Sequence, residues 1–333
     1  MINTAIRICA GALATLCCNI AASGQTAKPR EARIVGYQPN WDDDLADQVK
    51  RIDWAHITHL NLAFENPTND DGDMSFKESE RDIIKTAHSH GVKVLVSLGG
   101  GYVSEQPKPR ARLFKLISEP NRKEFAAKLA AYTAAHDFDG LDVDIEGPAI
   151  NSDYGPFVTT LGKELRKRKK LMTSALSQGN GGDRVSSETL ALFDFINIMA
   201  YDFTGPWAPN MPGQHAPMEF AISSIEFFHG KGVPLSKLVL GVPFYGWGFG
   251  KAKREGDYSF SDLVKNYPGA QDLDQVGNTI FYNGIPTILL KTKYVHDQGL
   301  GGIMIWPINY DAAGKYSLVK TIYDALHPHS NSN

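Results

Sequence analysis

Eight short apolar segments recur along the chain, at 33–37, 57–64, 92–98, 140–145, 171–176, 195–199, 238–244 and 302–306. They are rich in Val, Ile, Leu and Met, and several are apolar almost throughout. Strands covered by helices on both faces of a parallel sheet read this way. Helical patterns fall between them, at 42–53, 79–90, 111–117, 121–136, 156–170, 188–193, 218–230, 286–297 and 312–327. The second begins on Ser79, a good N-cap residue. The fifth ends in the cationic run 163–170, which suits the negative end of a helix dipole. Strand–helix repetition with short links predicts a parallel sheet. Eight units predict a closed (β/α)8 TIM barrel rather than an open doubly wound sheet. No Pro-, Gly- or Ser-rich linker divides the chain, so one domain is expected. A short excursion, 248–284, follows the seventh strand and contains a hairpin near Asn278 and Tyr282. It is too small for a second core, so no large α+β insertion domain is expected.

The chain is 42% hydrophobic and 21% charged over 333 residues, enough apolar material for such a core. Its formal charge of −3 provides no global basic field, so nucleic acid is not an expected partner. The three cysteines, Cys9, Cys17 and Cys18, all lie at the extreme N-terminus. There Arg7 precedes an apolar run from Ile8 to Ile20, which ends in Ala21, Ala22, Ser23 and Gly24. This is the pattern of a secretory signal peptide, 1–24, cut before Gln25. The run is too short for a membrane span of about 20 residues. Lipid anchoring at Cys17 or Cys18 is the weaker alternative, since Thr15 and Leu16 fit a lipobox poorly. Removing 24 of 333 residues leaves a domain of 309 with no cysteine, 25–333. A secreted or periplasmic monomer held together by its core, without disulfides, is the expectation.

The chemistry concentrates in one segment, Phe138-Asp139-Gly140-Leu141-Asp142-Val143-Asp144-Ile145-Glu146. Side chains alternate faces along a strand. Leu141, Val143 and Ile145 therefore point to the helix layer, and Asp142, Asp144 and Glu146 point into the barrel. Successive acids sit about 6.6 Å apart at Cα. Three buried carboxylates cannot all ionise freely, so at least one must hold its proton toward neutral pH. General acid catalysis needs such a group. Barrel active sites lie at the C-terminal strand ends, which makes Glu146 the most accessible of the three. A hard-metal site is a second reading of the same acids, but the other strand ends offer few acids or histidines to complete it.

Asp139 to Glu146 resembles the DxxDxDxE signature of glycoside hydrolase family 18, the chitinases and their relatives. Ser97-Leu98-Gly99-Gly100 is similar to that family's SxGG motif, and Met199-Ala200-Tyr201-Asp202 to its M-x-Y-D motif. Gly241-Val242-Pro243-Phe244-Tyr245-Gly246 resembles its seventh-strand segment. Trp306 stands where the family places an eighth-strand tryptophan. The motifs follow in order, each at a predicted strand end, and the resemblance covers essentially the whole mature chain.

The resemblance implies a hydrolase of β-linked N-acetylglucosamine, in polysaccharide or oligosaccharide, with no metal or organic cofactor. It implies that Glu146 protonates the glycosidic oxygen while the substrate's own 2-acetamido oxygen attacks the anomeric carbon. It assigns Asp144 to the acetamido N–H, Asp142 to proton sharing with Asp144, and Tyr201 to the acetamido carbonyl. Trp306 would form the floor of the −1 subsite. Asp202, Tyr37, Phe64, Trp207, Tyr245 and Asp139 are further candidate substrate contacts, and Trp41 and Trp247 weaker ones. Gly99 and Gly100 are read as permitting close packing. The chain departs from the commoner pattern in three places. Gly147-Pro148 follows Glu146 where many members have Tyr-Pro, Trp247 replaces an Arg, and the excursion lacks bulk. A shallow groove suited to endo-cleavage follows, of chitin oligomers or of the chitobiose core of N-glycans. A sugar-binding lectin is a further alternative, though such relatives typically lose the acid.

Overall fold

The structure is a computed structural model that describes residues 32–41 and 44–328. The segment read as a signal peptide lies outside the described residues. Eight parallel strands close into a barrel: β1 (Arg33–Pro39), β2 (His59–Ala63), β3 (Lys93–Gly99), β4 (Gly140–Asp144), β5 (Leu171–Leu176), β6 (Phe195–Ile198), β7 (Leu238–Pro243) and, last in the chain, β12 (Gly302–Trp306). The strands neighbour one another in chain order, and β12 pairs with β1 to complete the circle. Each of the eight apolar segments forms a barrel strand, which bears out the (β/α)8 reading.

The excursion is more than a hairpin. Strands β8 (Tyr245–Gly248), β9 (Tyr258–Ser259), β10 (Gln275–Val276) and β11 (Ile280–Phe281) form a four-stranded sheet in the order β10-β11-β8-β9. One short helix, Phe260–Asn266, lies within it. The predicted hairpin is its β10–β11 pair.

Helix boundaries moved for identifiable reasons. The helix expected to start on Ser79 is Glu78–Ser89, with Lys77 at the N-cap. Glu80 accepts the Lys77 N–H at 2.9 Å, so the capping carboxylate comes from inside the first turn. The last helix, expected from Ala312, is Leu318–Leu326, because Ser317 caps it and bonds Asp311 at 2.6 Å. Pro107 extends the third pattern forward to Pro107–Ile117, as proline at the first helical position allows.

The core has two shells. Leu141, Val143 and Ile145 pack outward among the helices with no exposure. Inside the barrel, Val35, Tyr37, Ala175, Phe195, Met199, Tyr201, Val239 and Met304 form a separate cluster. The lumen is therefore packed rather than open, and functional groups gather above it at the strand ends. Among the described residues no helix is long and apolar enough to cross a membrane.

Candidate active site

A cleft of about 460 Å³ opens at the C-terminal ends of the barrel strands. Tyr37, Phe64, Asp144, Glu146, Tyr201, Asp202, Trp207 and Trp306 line it. Strand alternation carries the acids there as expected. Asp142 lies deepest, with no exposure, Asp144 above it is 4% exposed, and Glu146 reaches the cleft.

Asp142 is held by three hydroxyls, from Tyr37 at 2.7 Å, Ser97 at 2.8 Å and Thr173 at 2.6 Å. Burial raises its pKa, and these donors act against the rise. Asn197 donates to the Tyr37 oxygen at 2.9 Å, fixing the phenol so that its proton points at Asp142. Tyr37 thus lines the cleft with a ring whose hydroxyl is already committed.

Asp144 is pushed well above the usual carboxylate range, first by burial, then by the charges of Glu146 and Asp142. Its Oδ1 has no hydrogen-bond partner. A buried, unpartnered oxygen is costly unless a ligand satisfies it. The Asp144 carbonyl is fixed separately, by the Gly100 N–H at 2.7 Å.

Glu146 is pushed up to about 7, chiefly by burial, then by Asp202 and Glu105, with the Asn180 amide acting the other way. Its backbone N–H donates to Ser104 Oγ at 3.1 Å. A carboxyl half-protonated near neutrality can both give and take a proton there.

Tyr201 is buried, with its hydroxyl 3.9 Å from Met304 Sδ, a weak acceptor that a better one could replace. Asp202 adopts a left-handed backbone, φ +60°. Its Oδ1 accepts from Tyr245 Oη at 2.6 Å and Trp247 Nε1 at 2.8 Å, and His215 Nδ1 lies 3.2 Å away. Burial alone would raise its pKa, but these partners outweigh it and hold the carboxyl below its ordinary value.

Aromatic rings build the walls. Phe64 stacks on Trp306 with centroids 5.8 Å apart and on Trp41 at 6.1 Å, making a continuous strip. Trp207, 59% exposed, meets Trp247 edge to face at 5.4 Å. Asn40 Oδ1 accepts the Phe64 N–H at 3.0 Å and so anchors the strip to the end of β1.

Two expected contacts lie elsewhere. Asp139 sits at the N-terminal end of β4, bonded to His88 Nε2 at 2.9 Å and to the Val94 N–H at 2.8 Å. Five residues of strand, about 17 Å, separate it from Asp144, so it ties the barrel floor and does not reach the cleft. Tyr245 is 2% exposed and does not line the cleft; its hydroxyl serves Asp202 from below. Sequence reasoning in turn passed over Glu105, Ser177 and Asn180, which line the cleft, and His215, which is buried beside Asp202. None carries a local signal, because Ser177, Asn180 and His215 reach the site from loops and Glu105 from the end of the short helix Gly101–Glu105. Among the described residues no three His, Cys, Asp or Glu are arranged to hold a metal ion.

The sequence model described as Glycosyl hydrolases family 18 matches residues 33–311, spanning β1 to the loop after β12. The chain belongs to glycoside hydrolase family 18. The fold of this family 18 chain is similar to the GH18 chitinase ChiB from the chitin utilization locus of Flavobacterium johnsoniae. The TM-score is 0.82 and the identity 39%, covering 89% of this chain and 94% of the other. It is also similar to a chitinase from Bacteroides thetaiotaomicron, with TM-score 0.78 and 26% identity over 91% and 98% of the two chains. Among curated sequences, a chitinase-like effector of Moniliophthora roreri is 29% identical, covering 70% of this chain and 63% of the relative. The chain thus spans somewhat under two thirds of that relative's length.

Proposed function

We propose that this family 18 chain is an exported, endo-acting hydrolase of β-1,4-linked N-acetylglucosamine in chitin and its oligomers. The observation that carries the reading is the graded acid wall of β4. Asp142 is buried and hydroxyl-bound, Asp144 presents an unpartnered oxygen, and Glu146 stands near neutrality in the cleft. The relatives with solved structures named above are chitinases, which supports the substrate class. The open cleft and its aromatic strip suit internal binding of a sugar chain, whose C–H faces stack on rings. Export rests on the charged, apolar and small-residue order of residues 1–24.

The chemistry follows from the positions. A sugar seated on Trp306 brings its glycosidic oxygen to Glu146, which donates its proton as the C1–O bond breaks. The 2-acetamido carbonyl oxygen forms the new bond to C1, giving an oxazolinium ion; family 18 uses this substrate assistance in place of a second carboxylate nucleophile. Asp144, passing its proton to the Asp142 carboxylate, accepts the acetamido N–H at Oδ1 and balances its developing charge. Tyr201 gives up the sulfur contact and donates to the acetamido oxygen. Glu146, now a carboxylate, takes a proton from water as that water attacks C1 and reopens the ring. Two inversions give net retention.

The test is incubation of the purified mature protein with chitin oligomers and with high-mannose glycoprotein, each with and without EDTA. Internal cleavage of the oligomers with retained anomeric configuration, unaffected by EDTA, is expected. Cleavage of the glycoprotein alone would transfer the reading to an endo-β-N-acetylglucosaminidase, and binding without cleavage would make the chain a lectin. Glu146→Gln is expected to abolish turnover while preserving folding and sugar binding.

A further inference from the structure

We propose that Asn180 is a positioning residue for Glu146, selecting which carboxyl oxygen carries the transferable proton and steadying the carboxylate once that proton has left. This rests on the assignment of Glu146 as the acid.

Asn180 lies on the loop after β5, lines the cleft, and donates from Nδ2 to Glu146 Oε2 at 3.2 Å. An oxygen that accepts a hydrogen bond is the poorer place for a proton, so the proton resides on Oε1. In this proposal Oε1 is the oxygen that delivers the proton to the leaving group. The bond strengthens as charge develops on Glu146, so it favours the transition state over the resting enzyme.

The loop and the strand end are fitted to each other. Gly147 donates its N–H to the Asn180 carbonyl at 2.9 Å, and Arg184 donates to the Gly147 carbonyl. Gly147 has φ +48°, and a Cβ there would stand 2.7 Å from Asn180 Oδ1. A side chain at position 147 and the amide of Asn180 therefore compete for one space. This gives a physical reason for the glycine that follows Glu146 in this chain. The amide occupies the volume that a larger residue at 147 would fill.

Electrostatics agree. The groups facing Glu146 are Asp144 on its own strand, Glu105 at the end of the short helix Gly101–Glu105 after β3, and Asp202 after β6, with Arg184 held at the neighbouring carbonyl. Burial and the acids oppose ionisation of Glu146, and the Asn180 bond favours it.

The experiment measures kcat, KM and the pH profile of kcat/KM for Asn180→Ala, Asn180→Gln and Glu146→Gln on a chitin pentamer, with melting temperature as the folding control. Asn180→Ala is expected to lower kcat roughly tenfold, with KM changed by less than about twofold. Its alkaline limb should move upward by roughly half a pH unit or more, because a donor to the ionised form is gone. Asn180→Gln, which keeps the amide, should recover part of both. Unchanged kcat and an unmoved alkaline limb in Asn180→Ala, with Glu146→Gln inactive, would overturn the proposal and leave the acid assignment standing. A rise in KM alone would overturn it too, making Asn180 a substrate contact. Turnover by Glu146→Gln would remove the acid assignment and this proposal with it.

Discussion

Gly99 lies so close to Asp144 that a Cβ on it would stand 2.1 Å from the Asp144 carbonyl oxygen. Its φ is +119°, a conformation that side-chain-bearing residues rarely adopt. The ends of β3 and β4 meet here, and the adjacent Gly100 N–H holds the same carbonyl at 2.7 Å. Gly99→Ala must therefore move backbone that carries Asp144. The expected cost is about 3 kcal/mol or more in denaturant unfolding, with activity lost beyond what the unfolded fraction explains. A variant with wild-type stability and turnover would show that the approach is not needed.

Glu146 also links the site to pH-dependent stability. Its pKa is about 7 in the fold, above the value of about 4.3 for an unfolded glutamate. Between these values the folded state holds more protons than the unfolded one. Its favourable contribution is therefore complete below about pH 4 and is lost as pH rises through 7. Glu146→Gln carries no such titration. The variant and wild type should melt together near pH 4, and above pH 7 the variant should melt higher by about 2 °C or more. Comparing the two at each pH cancels other shifted groups, among them Glu65 at about 8 and Lys291 at about 7. A constant difference across pH would contradict the burial-driven shift.

The barrel was legible because burial on both faces writes continuous apolar strands, and β4 because its acids alternate with Leu141, Val143 and Ile145. Alternation fixes a face, however, and does not fix an end. Asp139 belongs to the same signature as Glu146, yet it lies at the barrel floor with His88. Tyr245 was misread for a related reason: an aromatic at a strand end can turn under a loop and bond Asp202 instead of substrate. His215 and Asn180 were invisible. Their roles come from where the β6 and β5 loops fold back, which no spacing in the chain records.

Asp142→Asn tests how the wall shares charge. The carboxylate accepts from Tyr37, Ser97 and Thr173, and an amide NH2 cannot accept. At least one hydroxyl loses its partner, at about 1–3 kcal/mol of stability. The charge of Asp142 also helps push Asp144 upward. Without it Asp144 should ionise at lower pH, so the acid limb of the rate profile should move down, while the lost hydroxyl partner and the lost proton acceptor for Asp144 should lower kcat. An unchanged profile would mean that Asp144 titrates independently of Asp142.

Trp247 donates a hydrogen bond from Nε1 to Asp202 Oδ1 at 2.8 Å. Trp247→Phe removes the donor and keeps an aromatic ring beside Trp207. Asp202 then loses one of the partners that hold its pKa down against burial. The expected result is a fall in kcat/KM of roughly threefold to tenfold, about the net worth of one ordinary hydrogen bond. The fall should be larger at acid pH, where Asp202 now protonates more readily. Trp247→Arg restores a donor and should lie closer to wild type than Trp247→Phe. Equal activity of the phenylalanine variant and wild type across pH would show that Tyr245 and His215 suffice to hold Asp202.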